Sequence, residues 1–74
     1  MEYKNRIESN PKIMLGKPVI KGTRITVELI LQKLSDGMEI KELLISYPNL
    51  KKEDILAAIS YSAAVIANEE MIQN

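Results

Sequence analysis

The spacing of apolar residues changes at Thr26, and this change constrains the fold more than any other feature. Before Thr26, short apolar runs are interrupted by Gly16, Pro18 and Gly22, which is typical of extended segments and turns. After it, apolar residues recur at i, i+3, i+4 and i+7, the period of an amphipathic α-helix. We therefore predict one domain, residues 1–74, with an extended N-terminal part followed by helices.

The extended part is predicted to form a short β-hairpin and a turn over residues 12–25. Gly16 admits a positive φ, and Pro18 fits the start or edge of a strand because it lacks an N–H donor. Gly22 lies in a second turn that ends at Arg24. Because an isolated two-stranded hairpin is marginal in water, we expect it to pack against the helices.

Three helices are predicted, over residues 27–36, 39–47 and 52–69. Thr26 is a suitable N-cap, Gly37 suits the position after a helix end, and Pro48 ends the second helix. Lys51 precedes the third helix, where Ser or Thr would cap it better. The second helix, a short turn and the third helix resemble a helix-turn-helix unit. The predicted fold class is mainly α: a three-helix bundle preceded by a β-hairpin.

The third helix is predicted to bury an apolar stripe. The stripe comprises Ile55, Leu56, Ile59, Ser62, Ala63 and Ile66. Alanines through the middle of this helix raise its helix propensity and permit close approach of a neighbouring helix. A homodimer formed through this alanine-rich helix is therefore one interpretation of the chain.

The chain contains no Cys and no His. Disulfides and thiolate metal sites are excluded, and the commonest general base is missing. We therefore expect no enzyme activity, no metal and no cofactor. The core of a 74-residue domain supplies little net stability, so association with another chain is expected to add to it.

The polar N-terminus leads into no apolar segment, so no secretory signal is expected. No apolar run approaches the roughly 20 residues that cross a bilayer. The sequence therefore predicts a cytoplasmic protein without a membrane partner.

The charges are unevenly distributed, since residues 1–24 hold six of the ten basic residues and two of the ten acidic ones. Such a segment attracts phosphate or an acidic protein surface. The candidate contacts for nucleic acid or a protein partner are Lys17, Lys21, Thr23, Arg24, Lys51 and Lys52. Arg24 has a second interpretation, in which it hydrogen-bonds carbonyls and holds the turn to the bundle. Glu53 and Asp54 at the start of the third helix argue against direct reading of DNA.

Residues 16–27, GKPVIKGTRITV, resemble the pattern GKPxIxGTRIxV of a prokaryotic family catalogued as domain of unknown function 433. Gly37, Tyr47-Pro48 and Leu50 also match, and the resemblance covers residues 5–67. It implies a winged-helix-like or homeodomain-like domain after a short hairpin. Lys51 departs from the Ser or Thr usual before the third helix.

The resemblance also implies a function, because such proteins are often encoded beside a PIN-like nuclease and look like antitoxins of type II toxin–antitoxin modules. The protein would bind the nuclease toxin, and the pair would bind operator DNA. Two alternatives stay open: a stand-alone helix-turn-helix repressor dimer, and a structural dimerisation module. We expect a homodimer in each case.

Overall fold

The computed structural model describes residues 2–73, with side chains up to residue 68. The elements in chain order are β1 (Ile7–Glu8), β2 (Val19–Ile20), α1 (Val27–Ser35), α2 (Ile40–Ser46) and α3 (Lys52–Gln73). A two-stranded antiparallel hairpin thus precedes three helices, which confirms the predicted fold class. The first two helices end within one residue of their predicted bounds, whereas α3 continues past the predicted end at residue 69.

The hairpin differs in position from the predicted range of 12–25. β1 pairs with β2 with Ile7 opposite Ile20 and Glu8 opposite Val19, so the first strand lies upstream of that range. Val19 and Ile20 are buried, and the half-buried Ile7 packs against the same core. This packing selects Ile7 as the strand partner, and residues 9–18 become the connection.

That connection contains a left-handed turn at Met14–Gly16. Met14, Leu15 and Gly16 have φ values of 50°, 59° and 83°. The turn closes through bonds from the Gly16 N–H to the Ile13 carbonyl and from the Lys17 N–H to the Met14 carbonyl. The backbone conformation of Leu15 is unfavourable for leucine. Its side chain is 93% exposed, so burial of apolar surface does not compensate for this.

Local side-chain and backbone contacts set the helix ends. Thr26 Oγ1 accepts from the Leu29 N–H at 3.0 Å, as the N-cap prediction requires. At the end of α1, Gly37 has φ 96° and the Met38 N–H bonds the Lys33 carbonyl, which is a Schellman ending. The acidic capping box of α2 forms between Glu39 and Glu42. Pro48 follows α2 after one residue, as predicted.

The core lies between the three helices and β2. Its buried members are Ile20, Val27, Ile30, Leu43, Leu50, Ile55 and Ala58. Half-buried apolar residues of β1, α1 and α2 surround this cluster. The hairpin therefore packs against the helices through Ile7 and Ile20, and the turn that follows β2 begins directly after a core residue.

The buried face of α3 differs from the predicted stripe. Ile55 is buried, but Leu56, Ile59, Ala63 and Ile66 are exposed, while Ala57 and Ala58 pack inward. The prediction was wrong here because α3 is apolar on opposite faces, and spacing does not say which face meets the bundle. Among residues 2–73, no helix combines the length and the apolarity needed to cross a membrane.

Candidate partner-binding site

The turn after β2 is held by one threonine side chain. Thr23 Oγ1 donates to the Ile20 carbonyl at 2.7 Å and accepts from the Ile25 N–H at 3.0 Å. The Ile20 N–H also bonds the Ile25 carbonyl at 2.9 Å, and Gly22 supplies φ 80°. The Thr23 hydroxyl is therefore engaged twice within the turn. It braces a short turn whose exposed side chains belong to Lys21 and Arg24.

The predicted contact residues fall on separate parts of the surface. Lys17 Nζ lies 2.9 Å from Glu28 Oε1 in an exposed ion pair with α1. Lys52 lies beside Met38 and Lys41, at a surface hollow between α2 and the start of α3. Lys21, Thr23 and Lys51 meet elsewhere, so the structure brings together three of the six predicted residues.

Those three residues line a shallow depression of about 300 Å³. Its lining comprises Asn5, Arg6, Ile20, Lys21, Thr23, Asn49, Lys51 and Asp54. Three of these side chains are cationic and one is a carboxylate. The depression is therefore basic on balance.

The carboxylate of Asp54 joins two elements at this depression. Asp54 Oδ1 accepts from Arg6 Nη1 at 2.9 Å, and Oδ2 accepts from the Lys51 N–H at 2.9 Å. Asp54 is only 7% exposed, so its charge is compensated by Arg6 and by the positive end of α3. It satisfies the Lys51 N–H, which is one half of a capping box.

Sequence reasoning did not identify Arg6 or Asp54 as partners. The available signal was an acidic residue three positions after a poor N-cap, which is half of a capping box. The identity of the cation could not be read from the sequence, because Arg6 is brought to α3 by strand pairing.

The family model described as "Protein of unknown function (DUF433)" matches residues 7–62 of the chain. That range includes the hairpin, α1, α2 and the first half of α3.

The chain belongs to the DUF433 family. A crystal structure of a DUF433 member from Anabaena variabilis ATCC 29413 superposes with a TM-score of 0.79 at 36% identity. The match covers 95% of this chain and 66% of that one. The uncharacterized protein y4eO of Sinorhizobium fredii (strain NBRC 101917 / NGR234) is 33% identical over 58 residues, which are 78% of this chain and 26% of y4eO. The DUF433 chain thus spans about a quarter of that relative.

Within this DUF433 chain, most residues of the GKPxIxGTRIxV segment have structural contacts. Gly16 and Gly22 adopt positive φ, and the Pro18 carbonyl accepts from the Val27 N–H at 2.9 Å. Ile20 is buried, Ile25 packs against the core, Thr23 braces the turn, and Lys17 pairs with α1.

Arg24 differs from the other positions that the pattern specifies. Its side chain is exposed, and across residues 2–73 its guanidinium makes no hydrogen bond or ion pair. In the described part of the chain, no hydrogen bond or ion pair of Arg24 supports the interpretation in which it holds the turn to the bundle. An unpaired guanidinium on a braced turn is available to a partner.

Proposed function

We propose that this DUF433 protein is the antitoxin-like component of a toxin–antitoxin pair, and that it binds a PIN-like nuclease without catalysing a reaction itself. The observation that carries the proposal is the unpaired Arg24, because the other positions that the pattern specifies in this segment have structural roles, whereas Lys21 stands at an unspecified position. A side chain without an intramolecular contact gains most from an intermolecular one.

The chemistry of Arg24 suits an acidic site. The guanidinium is planar, permanently charged and able to form two parallel hydrogen bonds with one carboxylate. A metal-dependent nuclease holds its ion with carboxylates, so a guanidinium inserted among them competes with the metal and blocks cleavage. The bracing of the turn by Thr23 reduces the entropy lost when Arg24 is immobilised in the complex.

Co-expression tests the proposal directly. The tagged chain is produced with the product of the neighbouring gene, and co-elution and RNA cleavage are measured. We expect a stable complex in which cleavage is suppressed. Absence of a complex, or a complex that cleaves RNA as fast as the free neighbour, overturns the proposed function.

Substitutions then assign the contact to Arg24. Arg24→Ala is expected to weaken the complex about tenfold or more, since arginines are common energetic anchors of interfaces. Arg24→Lys keeps the charge but loses the bidentate geometry, so it should recover only part of the affinity. Lys41→Ala is the matched control, because Lys41 is a cation of α2 that is 79% exposed in its side chain. Equal affinity in all variants excludes Arg24 as the contact.

DNA binding is a second candidate, favoured by the basic depression. Lys21 and Lys51 line it from two elements, and Asn5 and Asn49 add polar side chains beside them. Because Arg6 compensates Asp54, the start of α3 repels phosphate less than its sequence indicates. A repressor of this kind would act as a homodimer on a two-fold operator.

A gel shift on the chain's own promoter fragment at low salt tests DNA binding. Replacing both Lys21 and Lys51 by Ala should reduce the slope of log K against log salt by about 2, because each phosphate contact contributes about 0.9. Replacing Lys12 and Lys41 by Ala removes the same charge elsewhere and should leave the slope unchanged. No shift at low salt excludes this function.

A further inference from the structure

The outward face of α3 carries an apolar seam. Leu56 is 37% exposed, Ile59 is 41% exposed and Ile66 is 56% exposed, and the exposed Ala63 lies between the last two. At about 100° per residue, the seam lies roughly 140° around the helix from the middle of the buried face formed by Asp54, Ile55, Ala57 and Ala58. Within residues 2–73, the bundle leaves this face to solvent.

The spacing along the seam is that of a coiled coil. From Lys52, the intervals to Leu56, Ile59, Ala63 and Ile66 are four, three, four and three, which is the a/d pattern of a heptad. In the sequence, one more interval of four reaches Glu70. A sustained 3–4 alternation keeps one face of a helix against another helix along its length.

The seam is complementary to itself when it is reversed. Reversal about position 61 places Leu56 opposite Ile66 and Ile59 opposite Ala63. A large side chain then meets a small one at the centre, which fills the space that two facing alanines would leave.

A parallel arrangement lacks this complementarity. Each residue would face its own copy, so Ala63 would face Ala63 across a gap. Antiparallel packing also aligns the two helix dipoles favourably.

We infer that the occupant of this face is a second copy of the same chain, packed antiparallel through α3 about a two-fold axis near position 61. The surface is isologous, as a two-fold homodimer requires. The homodimer requires neither the nuclease nor DNA, and it leaves Arg24 on a different element.

Self-association is tested on the purified chain alone by sedimentation over a range of concentrations. We expect a mass of about twice the 8.4 kDa of the chain, with dissociation on dilution. Ala63→Glu places a charge in the seam and should give a monomer with an unchanged circular dichroism spectrum. Asn68→Glu is the matched control, because the exposed Asn68 lies roughly 160° around α3 from the seam. A wild-type monomer at all concentrations, or an equal effect of both variants, overturns the homodimer.

Single-cysteine variants test the orientation in a chain that has no other Cys. In the antiparallel pair, Leu56 of one copy opposes Ile66 of the other, whereas the two copies of Leu56 are roughly 15 Å apart along the axis. A disulfide needs Cα atoms within about 7 Å. Mixed Leu56→Cys and Ile66→Cys proteins should therefore cross-link, and neither should cross-link alone. Cross-linking of each variant with itself, or none in the mixture, overturns the antiparallel arrangement. If the chain is instead a monomer that binds the neighbouring gene product through this face, the homodimer is overturned and the face belongs to that partner.

Discussion

Arg6 Nη1 and Asp54 Oδ1 lie 2.9 Å apart and join the N-terminal segment to the first turn of α3. The pair spans 48 positions of the sequence. Asp54 is nearly buried, with 9% of its side chain exposed, while the Arg6 side chain is 35% exposed. Removing Arg6 leaves the poorly exposed Asp54 carboxylate with only the Lys51 N–H and the positive end of α3 to compensate its charge.

A double-mutant cycle should therefore find strong coupling between these residues. With Arg6→Ala and Asp54→Ala, we expect a coupling free energy of about 1–3 kcal/mol in denaturant unfolding, as for hydrogen bonds to charged groups. The same cycle on Lys17 and Glu28 is the control. Their side chains are 53% and 71% exposed, and solvent screens the pair, so we expect less than about 0.5 kcal/mol. Equal coupling in the two cycles would contradict the role assigned to Asp54.

The hydroxyl of Thr23 should stabilise the turn measurably. Thr23→Val keeps the shape of the side chain but removes both hydrogen bonds, so the free energy of unfolding should fall by about 1–2 kcal/mol. Thr23→Ser retains the hydroxyl and should lose less than half of that. Thermal or denaturant unfolding of the three proteins gives the comparison, and two variants of equal stability would show that the hydroxyl is not the cause.

Leu15 should be a site where substitution stabilises the protein. Its φ of 59° is unfavourable for leucine, and its exposed side chain provides no compensating burial. Because Asn tolerates the left-handed region, Leu15→Asn should raise the free energy of unfolding by about 0.5–1 kcal/mol.

Ile45→Asn separates this backbone effect from the removal of an exposed apolar residue. Ile45 is 79% exposed but lies in α2. Asn is a poor helix former, so this variant should be neutral or slightly destabilised. A gain of stability in both variants would point to side-chain exposure rather than to backbone strain.

Substitution of Arg24 should affect partner binding but not stability, whereas substitution of Arg6 should lower stability. Arg24→Ala is expected to change the free energy of unfolding by less than about 0.5 kcal/mol, because the exposed side chain makes no hydrogen bond or ion pair in the described chain. Arg6→Ala should destabilise the fold by more than that, through the loss of the Asp54 pair. Unfolding curves of the two variants test this, and a large loss of stability in Arg24→Ala would assign Arg24 a structural role.

The three helices followed from the sequence because their ends depend on neighbours in the chain. Thr26 caps α1 through a residue three positions on, and Gly37 ends it within one turn. The candidate contacts were named from the chemistry visible in the sequence, but only the tertiary structure shows that Lys21, Thr23 and Lys51 lie together. The segment that resembles the family pattern was also visible, but the contrast between Arg24 and the other positions that the pattern specifies appears only in the tertiary structure.

The hairpin, the face of α3 and the partner of Asp54 depend on residues far apart in the chain. Two strands of two residues each have no register of their own, so burial of Ile7 against the core places β1. A helix that is apolar on opposite faces carries no signal for which face turns inward, and the packing of α1 and α2 makes that choice. Strand pairing then carries Arg6 to Asp54. Local chemistry therefore establishes the elements and their ends, whereas long-range burial establishes which surfaces meet and which remain for a partner.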